Sequence, residues 1–81
     1  MNNEEMIAGR FERFARYRRL FRLITSNLEN DKIVFASTYI RSIKLTAKNN
    51  GNLKANKSGL WIQSGKAWMD ISGCKFTVSE K

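Results

Sequence analysis

The chain has 81 residues, with 15 lysines and arginines against 7 acidic residues, one cysteine, and neither histidine nor proline. A chain this short has room for one hydrophobic core, so we expect a single domain over residues 1–81, and without histidine it has no Ser-His-Asp triad and no common zinc site. The lone Cys74 closes no internal disulfide, which favours a reducing, cytoplasmic setting, and the net charge of +8 points to nucleic acid or an acidic protein surface as partner.

Residues 4–28 have the pattern of one amphipathic helix. Apolar side chains recur at helical spacing and predict its core face: Ile7, Phe11, Phe14, Tyr17, Phe21, Ile24 and Leu28. Arginines repeat on the other side and its flanks: Arg13, Arg16, Arg19 and Arg22. The polar cluster of residues 29–31 predicts the end of the helix.

From Lys32 the hydrophobic period changes to two, which predicts strands. Their approximate bounds are 33–40, 42–48, 52–57, 60–63, 66–71 and 74–78. Residues 37–41 could continue one bent strand or form a single helical turn. The predicted fold is therefore α+β, with the N-terminal helix packed on one face of a small antiparallel sheet of four or five strands arranged as a hairpin meander.

Two turn motifs predict how the outer strands pair. Asn49-Asn50-Gly51 suits a three-residue hairpin loop with glycine in the left-handed position, joining the second predicted strand to the third. Ser72-Gly73 suits a two-residue loop that places Asp70 opposite Lys75. Both registers put apolar residues against apolar residues, as a half-buried sheet requires.

A third turn motif, Ser64-Gly65, predicts that Trp61 lies directly opposite Trp68 on the sheet face turned away from the helix. Five lysines are predicted on the same side: Lys44, Lys48, Lys54, Lys66 and Lys75. Bases can stack on indoles while ammonium groups contact phosphates, so this face is a candidate platform for single-stranded or structured nucleic acid. The same pattern also suits a homodimer interface through the two tryptophans, or a cross-strand pair that only stabilises the sheet.

These features predict a binding protein and not an enzyme. The acidic residues are dispersed and Cys74 falls on the core face, so no constellation of acid, base, nucleophile or metal ligands is expected, and no cofactor. The helix arginines could follow phosphates or form a solvated face. A membrane is not the expected partner, because the aromatic stripe is needed against the sheet. The alternative is a small accessory or inhibitory protein, of the kind phages and mobile elements encode, that binds an acidic surface of a host enzyme or nucleoprotein.

Overall fold

The computed structural model describes residues 3–80, with side chains from Arg13 onward. One helix, α1 (Asn3–Glu29), precedes six strands: β1 (Ile33–Ser37), β2 (Ser42–Leu45), β3 (Leu53–Asn56), β4 (Gly59–Ser64), β5 (Ala67–Asp70) and β6 (Lys75–Ser79). The predicted α+β class is confirmed. The strands form two antiparallel three-stranded sheets, ordered β2-β1-β6 and β3-β4-β5, so the prediction of one sheet is wrong.

The helix ends in a hydrogen-bonded cap at the polar cluster after Glu29. The Lys32 N–H donates to Asn27 O at 3.0 Å, and the Asp31 N–H donates to Leu28 O at 3.1 Å. Asp31 has a left-handed φ of 63°. These two bonds define a Schellman motif, and aspartate is one of the few residues besides glycine that adopts this φ readily. The cap turns the chain back toward β1.

The hydrophobic core lies between α1 and both sheets, because α1 packs against β3 and β4 of one sheet and β1 of the other. The largest fully buried side chains come from all three layers: Ile24, Leu28, Val34, Leu45, Leu60 and Ile71. Within the predicted helix stripe, Tyr17 is also buried, and Phe14 and Phe21 are half-buried. Ile7 and Phe11 lie outside the described side chains. The helix therefore covers the junction of two sheets.

Residues 49–51 do not form the predicted hairpin loop. They belong to a 3₁₀ helix, Ala47–Asn52. The Thr46 N–H donates to Asn49 Oδ1 at 2.9 Å and the Asn49 N–H donates to Thr46 O at 2.9 Å, which closes this helix locally. The helix carries the chain from β2, in one sheet, to β3, in the other. The hairpin prediction was wrong because the alternation of apolar residues is the same whether the next strand pairs with β2 or joins another sheet.

Two other connections, β1–β2 and β5–β6, also differ from the predictions. Residues 38–41 form neither a strand nor a helical turn, because the Thr38 N–H donates to Arg41 O at 2.8 Å and closes a β1–β2 hairpin. β6 pairs with β1 and not with β5, so the predicted pairing of Asp70 with Lys75 is wrong. The turn between β5 and β6, in which the Cys74 N–H donates to Ile71 O at 3.1 Å, carries the chain from one sheet to the other. β1 thereby becomes a central strand.

Candidate functional site

The two tryptophans lie on neighbouring strands of the β3-β4-β5 sheet. Trp61 is opposite Asp70 and Trp68 is opposite Gln63, so the predicted direct opposition of the indoles is wrong. The turn consists of residues 65 and 66, with Gly65 at a φ of 63°, so the register differs from the prediction by two residues. A shift of two keeps every side chain on its expected face. The indoles are therefore diagonal neighbours on the outer face, away from buried Leu60 and Ile62.

Asn56 holds the ring of Trp61. The Trp61 Nε1–H donates to Asn56 Oδ1 at 3.2 Å and to Ser58 Oγ at 3.3 Å. The same Asn56 oxygen accepts from the Ser58 N–H at 2.9 Å and the Gly59 N–H at 3.2 Å, as in an Asx turn. Half-buried Trp61 is therefore fixed to the β3–β4 hairpin, and its edge is directed toward that turn.

Trp68 is more open and is partnered by a cation. Its side chain is 39% exposed. The Lys54 Nζ lies 4.1 Å from the centre of the Trp68 ring, although Lys54 is on β3 and Trp68 on β5. The lysine therefore reaches over the middle strand and holds its charge against the indole. Such a cation–π contact is worth about 0.5–1 kcal/mol at an exposed site.

Asp70 adds one carboxylate to this outer face. Its Oδ1 accepts from the Ser72 N–H at 2.9 Å. The carboxylate lies directly above Gly59 of the neighbouring strand, where an added Cβ would be 2.7 Å from either Asp70 oxygen. Gly59 therefore gives the space that lets Asp70 bend toward the 71–74 turn.

The remaining predicted lysines do not all join Lys54 on the tryptophan face. Lys66 lies in the β4–β5 turn, at the end of the tryptophan face. Lys44 and Lys75 lie on β2 and β6 of the other sheet, and Lys48 lies in the 3₁₀ helix. All four are exposed, but only Lys66 shares a sheet with the indoles. A five-lysine face on a single sheet is therefore wrong, because the strands divide between two sheets.

The predicted helix arginines Arg13, Arg16, Arg19 and Arg22 are all exposed. The Arg16 Cζ lies 5.4 Å from the centre of the Tyr17 ring, which holds that guanidinium near the helix surface. A shallow groove of about 170 Å³ runs between Arg19 and Arg22, and a third arginine, Arg18, also lines it. At helical spacing Arg18 falls among the apolar residues of α1, so the pattern of outer arginines does not include it.

Arg18 connects the helix arginines to the tryptophan face. A second groove, of about 300 Å³, lies between α1 and β3, and both Arg18 and Lys54 line it. Phe14 and Phe21 contribute its apolar wall, and the Arg18 Cζ lies 5.8 Å from the Phe14 ring centre. Because Lys54 also contacts Trp68, these residues make one continuous surface. We call it the basic track: Arg22, Arg19, Arg18, Lys54 and Trp68.

The chemistry of the other reactive groups is limited. Burial raises the pKa of the Cys74 thiol above its ordinary value of 9.0; nearby Asp70 raises this pKa further, and Arg41 lowers it. The thiol is therefore protonated at neutral pH. Among the side chains described, those of residues 13–80, no three of the types that bind metals converge on one point.

Comparison of the chain with models of known families, with curated proteins and with solved structures found no match. Among the residues that the structure describes, none of the helical segments has the length and hydrophobicity that a membrane-spanning helix requires.

Proposed function

We propose that the protein binds single-stranded nucleic acid along the basic track. The observation that carries this proposal is the double role of Lys54, which lines the groove beside Arg18 and also lies 4.1 Å from the Trp68 ring centre. Cations for phosphates and an indole for bases are thus adjacent, and not merely present in the same chain. Proteins that hold single strands with little sequence preference use this combination of a positive groove and aromatic platforms.

The helix end of the track supplies the phosphate contacts. Arg18, Arg19 and Arg22 span little more than one turn of α1 and line one groove, so their guanidinium groups can follow a flexible backbone. Each neutralised phosphate releases counterions, which makes binding strongly dependent on salt. Guanidinium groups also bind phosphate oxygens in a bidentate manner, which an ammonium group cannot do.

The sheet end of the track supplies stacking. A base can lie on Trp68 only if the Lys54 ammonium moves from the ring face, and stacking, at about 1–3 kcal/mol, exceeds the cation–π contact of about 0.5–1 kcal/mol. The displaced ammonium is then available to a phosphate. Only an unpaired base can reach an indole in this way, so a single strand or a splayed loop fits better than a duplex.

The test is a titration of tryptophan fluorescence with an oligothymidylate of about 12 nucleotides, and with a duplex of equal length. We expect quenching by the single strand and a log–log salt slope of about −3 if the four track cations each contact one phosphate, at about −0.7 per contact. The double variant Arg18→Ala with Lys54→Ala should lower the affinity about tenfold or more and make the slope shallower by about 1.4.

The matched control removes the same charge from the other sheet, as Lys44→Ala with Lys75→Ala. Equal losses in both double variants would mean that only net charge is sensed, and absence of binding at low salt would end the proposal. Recovery of the protein with its partners from a lysate, before and after nuclease treatment, distinguishes a nucleic-acid partner from a protein partner. A protein partner that survives nuclease and requires the basic track would instead favour the accessory or inhibitory protein described above.

A further inference from the structure

The tip of the β1–β2 hairpin presents two apolar side chains to solvent. Tyr39 is 98% exposed and Ile40 is 71% exposed. The turn is well hydrogen-bonded, because Thr38 Oγ1 accepts from the Ile40 N–H at 3.3 Å and the Arg41 N–H at 3.2 Å. The two side chains are therefore held outward by a defined turn. Exposed apolar residues that are grouped in this way indicate an interaction surface.

An apolar groove lies beside this tip. Its volume is about 340 Å³, and Tyr39 and Ile40 form part of its wall. The other apolar residues that line it come from both sheets and the turn after β5: Ala36, Ile43, Met69, Ile71 and Cys74. A protein cavity of about 150 Å³ already holds benzene, so this groove has room for an isoleucine or tyrosine side chain.

The charges at the groove are balanced. Arg41 and Asp70 both line it, so the surface offers one cation and one anion. The Arg41 Nη1–H donates to Met69 Sδ at 3.7 Å, which holds the guanidinium over the groove. This differs from the basic track, where four of the five residues are cations. A wholly acidic partner fits the track better, whereas a surface of both signs fits a copy of itself.

We propose that the chain forms a two-fold symmetric dimer through this surface, independently of nucleic-acid binding. A symmetric interface must be self-complementary, and here a projecting apolar tip, an apolar groove and two opposite charges are adjacent. Ile40 and Tyr39 of each copy occupy the groove of the other, and Arg41 faces Asp70 of the partner subunit. Because each copy contributes only one hairpin tip and one groove, we expect a weak dimer, with a dissociation constant on the order of 10 µM.

The primary test is sedimentation equilibrium of the full chain up to about 100 µM. We expect a monomer–dimer equilibrium, with a dissociation constant at least about tenfold higher for Ile40→Ser with Tyr39→Ser. Both side chains are exposed, so this variant should keep its thermal unfolding temperature. The matched control is Leu23→Ser, which removes another exposed apolar residue, 52% accessible, from the helix. It should dimerise as the natural chain does.

Cross-linking between two different chains tests whether the dimer forms through this surface. The variant Ile40→Cys with Cys74→Ser is mixed with the natural chain, whose single thiol is Cys74, and treated with a short bis-maleimide. A heterodimeric product can arise only between two chains, and its yield should exceed that of Leu23→Cys with Cys74→Ser. A chain that stays monomeric at about 100 µM overturns the proposal. So does a dimer that survives loss of Ile40 and Tyr39, or one that instead requires Trp68.

Discussion

Replacing Trp68 by alanine should weaken binding to a single strand while leaving its salt dependence unchanged. The loss of stacking, about 1–3 kcal/mol, is offset by the cation–π contact of about 0.5–1 kcal/mol that the natural protein must first give up. At the centre of the two ranges the net loss is about 1.25 kcal/mol, or about eightfold in affinity. Lys54→Met should instead change the salt dependence of binding, and its log–log salt slope should be shallower by about 0.7.

The assay is fluorescence anisotropy of a labelled single strand at several salt concentrations and at protein concentrations below the dimer range. Tyr39→Ala is the control for Trp68, because it removes another exposed aromatic ring outside the basic track. Lys44→Ala is the control for Lys54. If Trp68→Ala binds as tightly as the natural chain, or if Tyr39→Ala weakens binding equally, no base stacks on this indole. A slope that changes with Trp68→Ala would show that the two contributions are not separable.

Three further outcomes follow from the described contacts. Asn56→Ala should change the near-ultraviolet circular dichroism of the indole on β4 and destabilise the fold by about 1–2 kcal/mol, whereas Asn56→Asp, which keeps the acceptor oxygen, should restore the spectrum. Leu60→Ala should cost about 2–5 kcal/mol in chemical denaturation because Leu60 is fully buried, against less than about 0.5 kcal/mol for Leu23→Ala; equal effects would contradict the assigned core. Gly59→Ala should destabilise the fold by about 1 kcal/mol because the Asp70 carboxylate must move. In a double-mutant cycle, Gly59→Ala should have no such cost when Asp70 is also replaced by alanine.

The register between β4 and β5 shows what a sequence pattern can and cannot predict. The predicted register for Trp61 and Trp68 was wrong by two residues, yet both residues lie on the outer face as predicted. Glycine accepts a positive φ, and here Gly65 takes the first turn position and not the second. Local turn chemistry allowed either position, and a shift of two does not change which residues are buried.

The candidate site shows the same limit. The predicted residues Lys54, Trp61 and Trp68 lie on one face, but Lys44 and Lys75 belong to the other sheet. Helical spacing could not identify Arg18 as a binding residue, because on a helical wheel it lies among apolar residues. A long arginine side chain can leave that arc and place its charge at the rim of a groove. Its partner across the groove comes from β3, which no pattern within the helix can indicate.

The sequence by itself determined the features that depend on neighbouring residues: the helix and its polar end, the change of period at Lys32, and the inner and outer faces of β4 and β5. These follow from side-chain spacing and from the φ that each residue tolerates. Only the tertiary structure decided that the strands form two sheets, that β6 returns to β1, and that Arg18, Lys54 and Trp68 meet. Strand pairing joins residues far apart in sequence, and several pairings bury the same apolar faces, so packing of both sheets and the helix around one core selects among them.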